Sequence, residues 1–327
     1  MVKFLPEETP IAMLWLVKDP AELKSDQLPM PDNERYPYKA RLLNWADSEP
    51  HRRIRFYYIS TGLTLEQEQK LLDLSNPEKG GKSNIEVVDF NTEFQGSYNL
   101  DFLKNENIPF VWKIDILRLI PLLKDGPMIY FDFDILPVKN KKIGEIEMND
   151  VGYKMAAYRG SMENSILAVE STNNIIVTAV YNTISDLIDN KELLDIVLSK
   201  RRLVANCVHY NHVVNGLHIA AAKYVYENKN EATLEKLEQE LKEWIKRNFD
   251  TMKMIDNDNS KINLDINEYF SCKGNFDIKN DLSWTGKNQC NLYGNDNGNS
   301  EINDIDININ DKAQTIDNNE IKRNKGI

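Results

Sequence analysis

The sequence predicts an α/β fold in which a mainly parallel sheet carries helices on both faces. Two observations predict it. From Ile11 to about Ser171, short apolar runs bounded by Pro, Gly or charged residues alternate with amphipathic stretches, and strand–helix–strand order supplies the crossovers that parallel strands require. The chain also has 327 residues, 41% of them hydrophobic, enough for a substantial core.

Taken in order, IAMLWLV (Ile11 to Val17) is a continuous apolar run between Pro10 and the KDP turn, which suits a strand buried on both faces. RIRFYYIS (Arg53 to Ser60) is aromatic and β-branched and ends at a glycine. LTLEQEQKLLDLS has helical spacing with Thr64 as N-cap, and IEVVDF (Ile85 to Phe90) is the next strand. FVWKIDILRLIPLLKDG reads as an amphipathic helix stopped by Gly126, with Pro121 marking a bend, and PMIYFDFDI follows as a strand. VGYKMAAY and NSILAVES are strand-like, and residues from about Asn173 to Lys200 are helical. Within EATLEKLEQELKEWIKRN, Leu234, Leu237, Leu241 and Trp244 or Ile245 recur at helical spacing, a charged surface helix.

Residues 1–293 therefore read as one domain with a small helical insertion at about 220–250. From Gly294 the chain is dominated by Asn, Asp and Ile; this composition buries little, and residues 294–327 are expected to form a flexible tail. No internal repeat stands out.

A net charge of −11 argues against an electrostatic grip on nucleic acid or an anionic membrane, although a local basic patch stays open. Cys207, Cys272 and Cys290 show no paired metal spacing and leave an odd one over, as expected of reduced thiols in a cytosolic environment. Glu7, Glu8 and Pro10 interrupt any signal-peptide pattern, and no run reaches membrane-spanning length. The chain reads as soluble, whether a domain of a longer protein or one exported without a cleaved signal.

The segment YFDFDILP raises the chemical question. Asp132 and Asp134 sit two apart, so on a strand both side chains share a face and can meet one divalent cation or one polar ligand. Two further pairs with this spacing, Asp256/Asp258 and Asp304/Asp306, lie in polar segments and read as solvated loops. A calcium-loop reading of DNDNSKINLDIN fails, because Lys261 stands where the turn needs Gly and Asn267 where a bidentate Glu belongs. The first pair differs: it follows Met128, Ile129 and Tyr130, where unpaired charge is costly. Its bland alternative is a pair just past the strand end, in water or facing Lys139 to Lys142. Open α/β sheets bind ligands at the carboxyl ends of their strands, which favours a site.

Trp112 to Asn140 (WKIDILRLIPLLKDGPMIYFDFDILPVKN) resembles the DXD-containing region of GT-A glycosyltransferases: a helix with Asp-x-x-Arg, a glycine turn, and an aromatic strand ending in Asp-x-Asp. Within that group it looks most like bacterial toxin and effector enzymes, namely the large clostridial glucosylating toxins and the effectors that attach GlcNAc to arginine. Trp15, ENSILAVES from Glu163 and DLSWTG from Asp281 agree with it.

The resemblance implies a GT-A fold and transfer of a sugar from a UDP-sugar donor, UDP-GlcNAc or UDP-glucose, with Mn²⁺ or Mg²⁺ bound by Asp132 and Asp134. Hard oxygen donors suit those ions, which screen the diphosphate as it leaves. By the same resemblance Asp115 accepts sugar hydroxyls and Arg118 steadies the donor. Their alternative is a surface ion pair at i, i+3. Trp15 is expected to stack on uracil, its alternative being plain core. Ser283 completes the metal shell with Asn280 or Asp281 alongside, and Trp284 covers the diphosphate; the alternative for SWTG is an ordinary turn. Glu163 and Asn164 match the effectors' Glu-Asn pair. The stretch YKMAAYRG ahead of them lacks the effectors' histidine, which leaves arginine as acceptor open. His209, His212 and His218 cluster, which leaves two readings open, one histidine facing the acceptor or a zinc site, although no carboxylate or cysteine completes a convincing zinc set.

The resemblance further implies retention of anomeric configuration, a protein acceptor such as a host signalling protein, and a monomeric, secreted effector or toxin domain working in host cytosol. Two alternatives stand beside it. One is a DXD transferase acting on a glycolipid or polysaccharide; the other is a non-catalytic binding module.

Overall fold

A computed structural model describes residues 3–34, 36–158, 161–203, 212–229, 231–249 and 264–278, all within one compact unit, Met1–Tyr293. The first half runs β1 (Lys3–Phe4), β2 (Ile11–Trp15), α1 (Tyr38–Ser48), β3 (Ile54–Tyr58), α2 (Leu65–Leu72), β4 (Ile85–Asp89), α3 (Phe90–Glu93), α4 (Phe110–Leu117) and α5 (Leu119–Lys124). Then come β5 (Met128–Phe131), β6 (Ile135–Pro137), β7 (Glu147–Met148), β8 (Tyr153–Tyr158) and β9 (Ser161–Val169). The remainder is α6 (Ile175–Asp189), α7 (Lys191–Leu203), α8 (His212–Glu227), α9 (Leu234–Phe249), α10 (Leu264–Phe270) and β10 (Phe276–Ile278).

Among the described residues, six strands form the main sheet in the order β4-β3-β2-β5-β9-β8. β4, β3, β2 and β5 are mutually parallel, whereas β9 runs antiparallel to both β5 and β8. The sheet is thus mixed and flanked by helices on both faces, an α/β architecture whose parallel part is the one expected. Its parallel strands end together at Trp15, Tyr58, Asp89 and Phe131, which defines one carboxyl edge.

Strand alternation divides the core in two. Ile11, Met13 and Trp15 face one side with Phe56, Ile129 and Phe131, under Tyr38, Leu42 and Trp45 of α1 and Leu71 of α2. Ala12, Leu14, Tyr57, Tyr130 and Leu167 face the other, under α4, α5, α6, α8 and α9. Helix α9 contributes Leu237, Leu241, Ile245 and Phe249 to this second layer, so its apolar stripe joins the sheet's own core while its charged face stays outside. α8 approaches α9 so closely that a Cβ on Gly216 would lie 2.5 Å from the Trp244 ring.

Local chemistry accounts for the boundaries. Thr64 caps α2 through a reciprocal box: its hydroxyl accepts from Gln67 N (3.2 Å) and Gln67 Oε1 accepts from Thr64 N (2.9 Å). The bend expected near Pro121 is a break at Arg118, between α4 and α5. Pro121 has no N–H for the Leu117 carbonyl and its ring crowds that turn. Helix α1, absent from the sequence expectations, starts behind Pro37 without a side-chain cap.

Candidate active site

Asp115 and Arg118 lie one helical turn apart where α4 gives way to α5, and both are buried, at 0% and 4% exposure. Arg118 Nη2 pairs with Asp115 Oδ1 at 3.0 Å, and Nη1 reaches Asp132 Oδ2 at 3.2 Å. The same Nη1 donates to the Asn164 carbonyl at 2.8 Å, and the guanidinium carbon lies 5.1 Å from the Tyr130 ring centre. Asn164 Nδ2 donates to Asp115 Oδ1 (3.1 Å) and the Tyr130 hydroxyl to Asp132 Oδ1 (2.7 Å). Helix α4, the end of β5 and the middle of β9 thereby meet on one guanidinium.

A register shift explains how β9 reaches the site. Met155 of β8 opposes Leu167, yet the next residue, Ala156, opposes Glu163. Asn164 and Ser165 fall in the resulting bulge, and their carbonyls turn to Arg118 and to the Asp132 N–H (2.9 Å) instead. Bulges of this kind re-aim side chains next to active sites. Glu163, half-buried at its start, has its pKa raised by burial and then by the charge of Asp132.

The electrostatics are lopsided. Burial works against the Arg118 charge, but Asp132, Tyr130, Asp115 and Asp134 together hold its pKa above the usual value. Burial pushes the Asp115 carboxyl up to about 7 against the opposing pull of Arg118. Its Oδ2 is buried with no hydrogen-bond partner among the described residues. Such an orphaned acceptor is costly unless a ligand donates to it.

Asp132 and Asp134 are half-buried, while Phe131, Phe133 and Ile135 between and beside them are buried. Phe133 turns to the other side of the sheet, where its ring meets Trp15 (5.6 Å between centroids) and Tyr38 (5.7 Å). Trp15 retains 8% exposure and also packs against Tyr38 at 5.1 Å; its Nε1 is buried without a hydrogen-bond partner among the described residues. The expected uracil platform thus sits at the carboxyl edge, in contact with the residue between the two aspartates, and is largely covered.

No group of three or more His, Cys, Asp or Glu that could hold a metal ion occurs among the described residues. Mn²⁺ and Mg²⁺ with a nucleotide are typically held by one or two carboxylates, the remaining positions going to phosphate oxygens and water. Asp132 and Asp134 lie in the turn between β5 and β6, not on one strand face as expected, because β5 ends at Phe131; two acidic side chains on this half-buried turn fit that pattern. Asn280, Asp281, Ser283 and Trp284 lie outside the described residues. β10 pairs antiparallel with β6, and its last residue, Ile278, stands opposite Ile135, next to Asp134 in the chain.

Of the histidines, His209 and the His212 side chain lie outside the described residues. His218 is fully buried, its Nδ1 2.8 Å from the Tyr153 hydroxyl, and burial followed by the Arg118 charge depresses its pKa to about 3. Cys272 is a buried free thiol, whereas Cys207 and Cys290 lie outside the described residues. No helix among the described residues is long and apolar enough to cross a membrane.

Sequence reasoning missed Arg41 and Trp45 on α1, which hydrogen-bond the backbone around Asp134. It also missed the β9 bulge. Four-residue spacing of Arg41 and Trp45 was the available signal.

No protein-family model and no curated protein matches the chain. Among solved structures, the bacterial N-acetylglucosamine transferase NleB is 18% identical; the alignment covers 85% of this chain and 97% of that one at a TM-score of 0.46. The PaToxG glycosyltransferase is 18% identical over 76% of this chain and 86% of that one, TM-score 0.42. The ligand-free glycosyltransferase domain of the YGT toxin is 13% identical over 75% and 73%, TM-score 0.40.

Proposed function

We propose that this chain is a metal-dependent, retaining glycosyltransferase that moves GlcNAc or glucose from a UDP-sugar to a side chain of a protein, in the manner of a toxin or effector domain. The observation that carries the reading is the gathering of carboxylates around one buried guanidinium at the carboxyl edge. One guanidinium, Arg118, feels three carboxylates, Asp115, Asp132 and Asp134.

Asp134 and Asp132 would hold the ion. When bound it screens the diphosphate as the sugar–phosphate bond weakens. Arg118 keeps Asp132 and Asp115 in place and lowers the cost of burying both. Asp115, oriented by Asn164, offers its unsatisfied Oδ2 to a sugar hydroxyl, and Glu163 borders the same site from β9. Trp15 and Phe133 form the apolar floor on the nucleobase side. For Asn280, Asp281, Ser283 and Trp284, the resemblance supports completion of the metal shell and cover over the diphosphate, excluding water from a donor prone to hydrolysis.

Incubation with UDP-GlcNAc and with UDP-glucose, each with and without Mn²⁺, tests the reading. UDP release that requires Mn²⁺ is expected with one donor; equal release after removal of metal, or none with either donor, refutes it.

A further inference from the structure

Two side chains of α1 grip the turn that carries Asp134. Arg41, 7% exposed, donates from Nη1 to the Phe133 carbonyl at 2.9 Å. Trp45, fully buried, donates from Nε1 to the Ile135 carbonyl at 2.8 Å. These two carbonyls belong to the residues immediately before and after Asp134. The donors are four residues apart, so one face of one helix supplies both.

Neither donor is loosely held. The Arg41 guanidinium carbon lies 5.0 Å from the Tyr38 ring centre, and the Trp45 ring stacks on Phe131 at 4.7 Å with 26° between planes. Phe133 is wedged among Trp15, Tyr38 and Phe56. Within the turn, Ile135 N donates to the Asp132 carbonyl at 3.0 Å. Backbone position on both sides of Asp134 is therefore set from α1, on the face of the sheet opposite Arg118.

We propose that Arg41 and Trp45 are positioning residues that fix the Asp134 carboxylate for a divalent cation. This rests on the metal reading above. Removing either donor leaves a buried carbonyl unsatisfied and lets the turn relax, displacing the carboxylate it carries. Outer partners of a metal ligand typically govern affinity by about 10- to 100-fold.

The test is Mn²⁺ binding by electron paramagnetic resonance, in the presence of UDP, on the full chain and on the variants Arg41→Met, Arg41→Lys and Trp45→Phe. Near-ultraviolet circular dichroism reports whether each variant is folded. Folded Arg41→Met and Trp45→Phe are expected to bind Mn²⁺ about 10- to 100-fold more weakly, with Arg41→Lys, which keeps a donor, recovering part of the loss. Wild-type affinity in both folded variants overturns the proposal while leaving the metal reading intact. Failure of the wild-type chain itself to bind Mn²⁺ with UDP removes the metal reading and this proposal together. If Arg41→Met does not fold, Trp45→Phe, which retains the stacking ring, decides alone.

Discussion

Arg118 joins Asp115 and Asp132, its two terminal nitrogens reaching one carboxylate each across 3.0 and 3.2 Å from a site 4% exposed. A pair buried to this degree adds little net stability compared with well-packed apolar residues, but breaking it strands a charge. Arg118→Met is therefore expected to lower stability by about 3–5 kcal/mol, measured by urea unfolding at neutral pH. A loss below about 1 kcal/mol, the worth of an exposed pair, would show that Asp115 is not held by this contact.

The pH response of Asp115 has a definite sign. In the unfolded chain its pKa is about 3.9, whereas burial raises it to about 7 in the fold. Between these values the folded protein holds a proton that the unfolded chain has released, so this group's stabilising contribution is full at low pH and is lost as pH rises towards about 7. Urea unfolding at pH 5 and pH 7.5 is expected to show a steeper decline for the wild type than for Asp115→Asn. Parallel profiles would contradict the shift. His218, depressed to about 3, acts in the opposite direction below its ordinary pKa, but both proteins carry it, so the difference between their profiles isolates Asp115.

Asp134→Ala is expected to reduce Mn²⁺-dependent UDP release by about 100-fold or more, since charge stabilisation by a metal is worth several kcal/mol and each 1.36 kcal/mol is tenfold. Chelation of the wild type should produce a loss of the same size, and chelation of Asp134→Ala should add nothing. Additive losses would separate the residue from the metal.

Gly216→Ala checks the packing of α8 on α9. On an open helix surface alanine gains about 1 kcal/mol over glycine, but here the new Cβ meets the Trp244 ring at 2.5 Å. A lower melting temperature is expected for Gly216→Ala, with recovery when Trp244 is shortened to Leu. A rise in the single variant would mean that the two helices separate without cost.

The strands were legible because they are short apolar runs between turn residues, and the helices because Leu237, Leu241 and Ile245 recur at helical spacing. Asp132 and Asp134 stood out for the same reason: carboxylates beside Tyr130 and Ile135 conflict with their surroundings. What the sequence hid depends on distant partners. Helix α1 begins behind proline and buries an arginine, contrary to the usual start and burial signals. The bulge at Asn164 exists only in the register of β9 against two neighbours, and periodicity within one strand carries no register. Trp15 reads alike as platform or core in the sequence, and its ring neighbours, Tyr38 and Phe133, come from distant parts of the chain that no local pattern reveals.

The ladder between β10 and β6 is three residues long and ties a late part of the chain to the strand leaving Asp134. So brief a pairing opens by local fluctuation well below the free energy of global unfolding. Any ligand that stiffens the aspartate turn must therefore also slow that opening, and amide hydrogen exchange at Asp277, which stands opposite Leu136 in the ladder, becomes a remote spectator of occupancy.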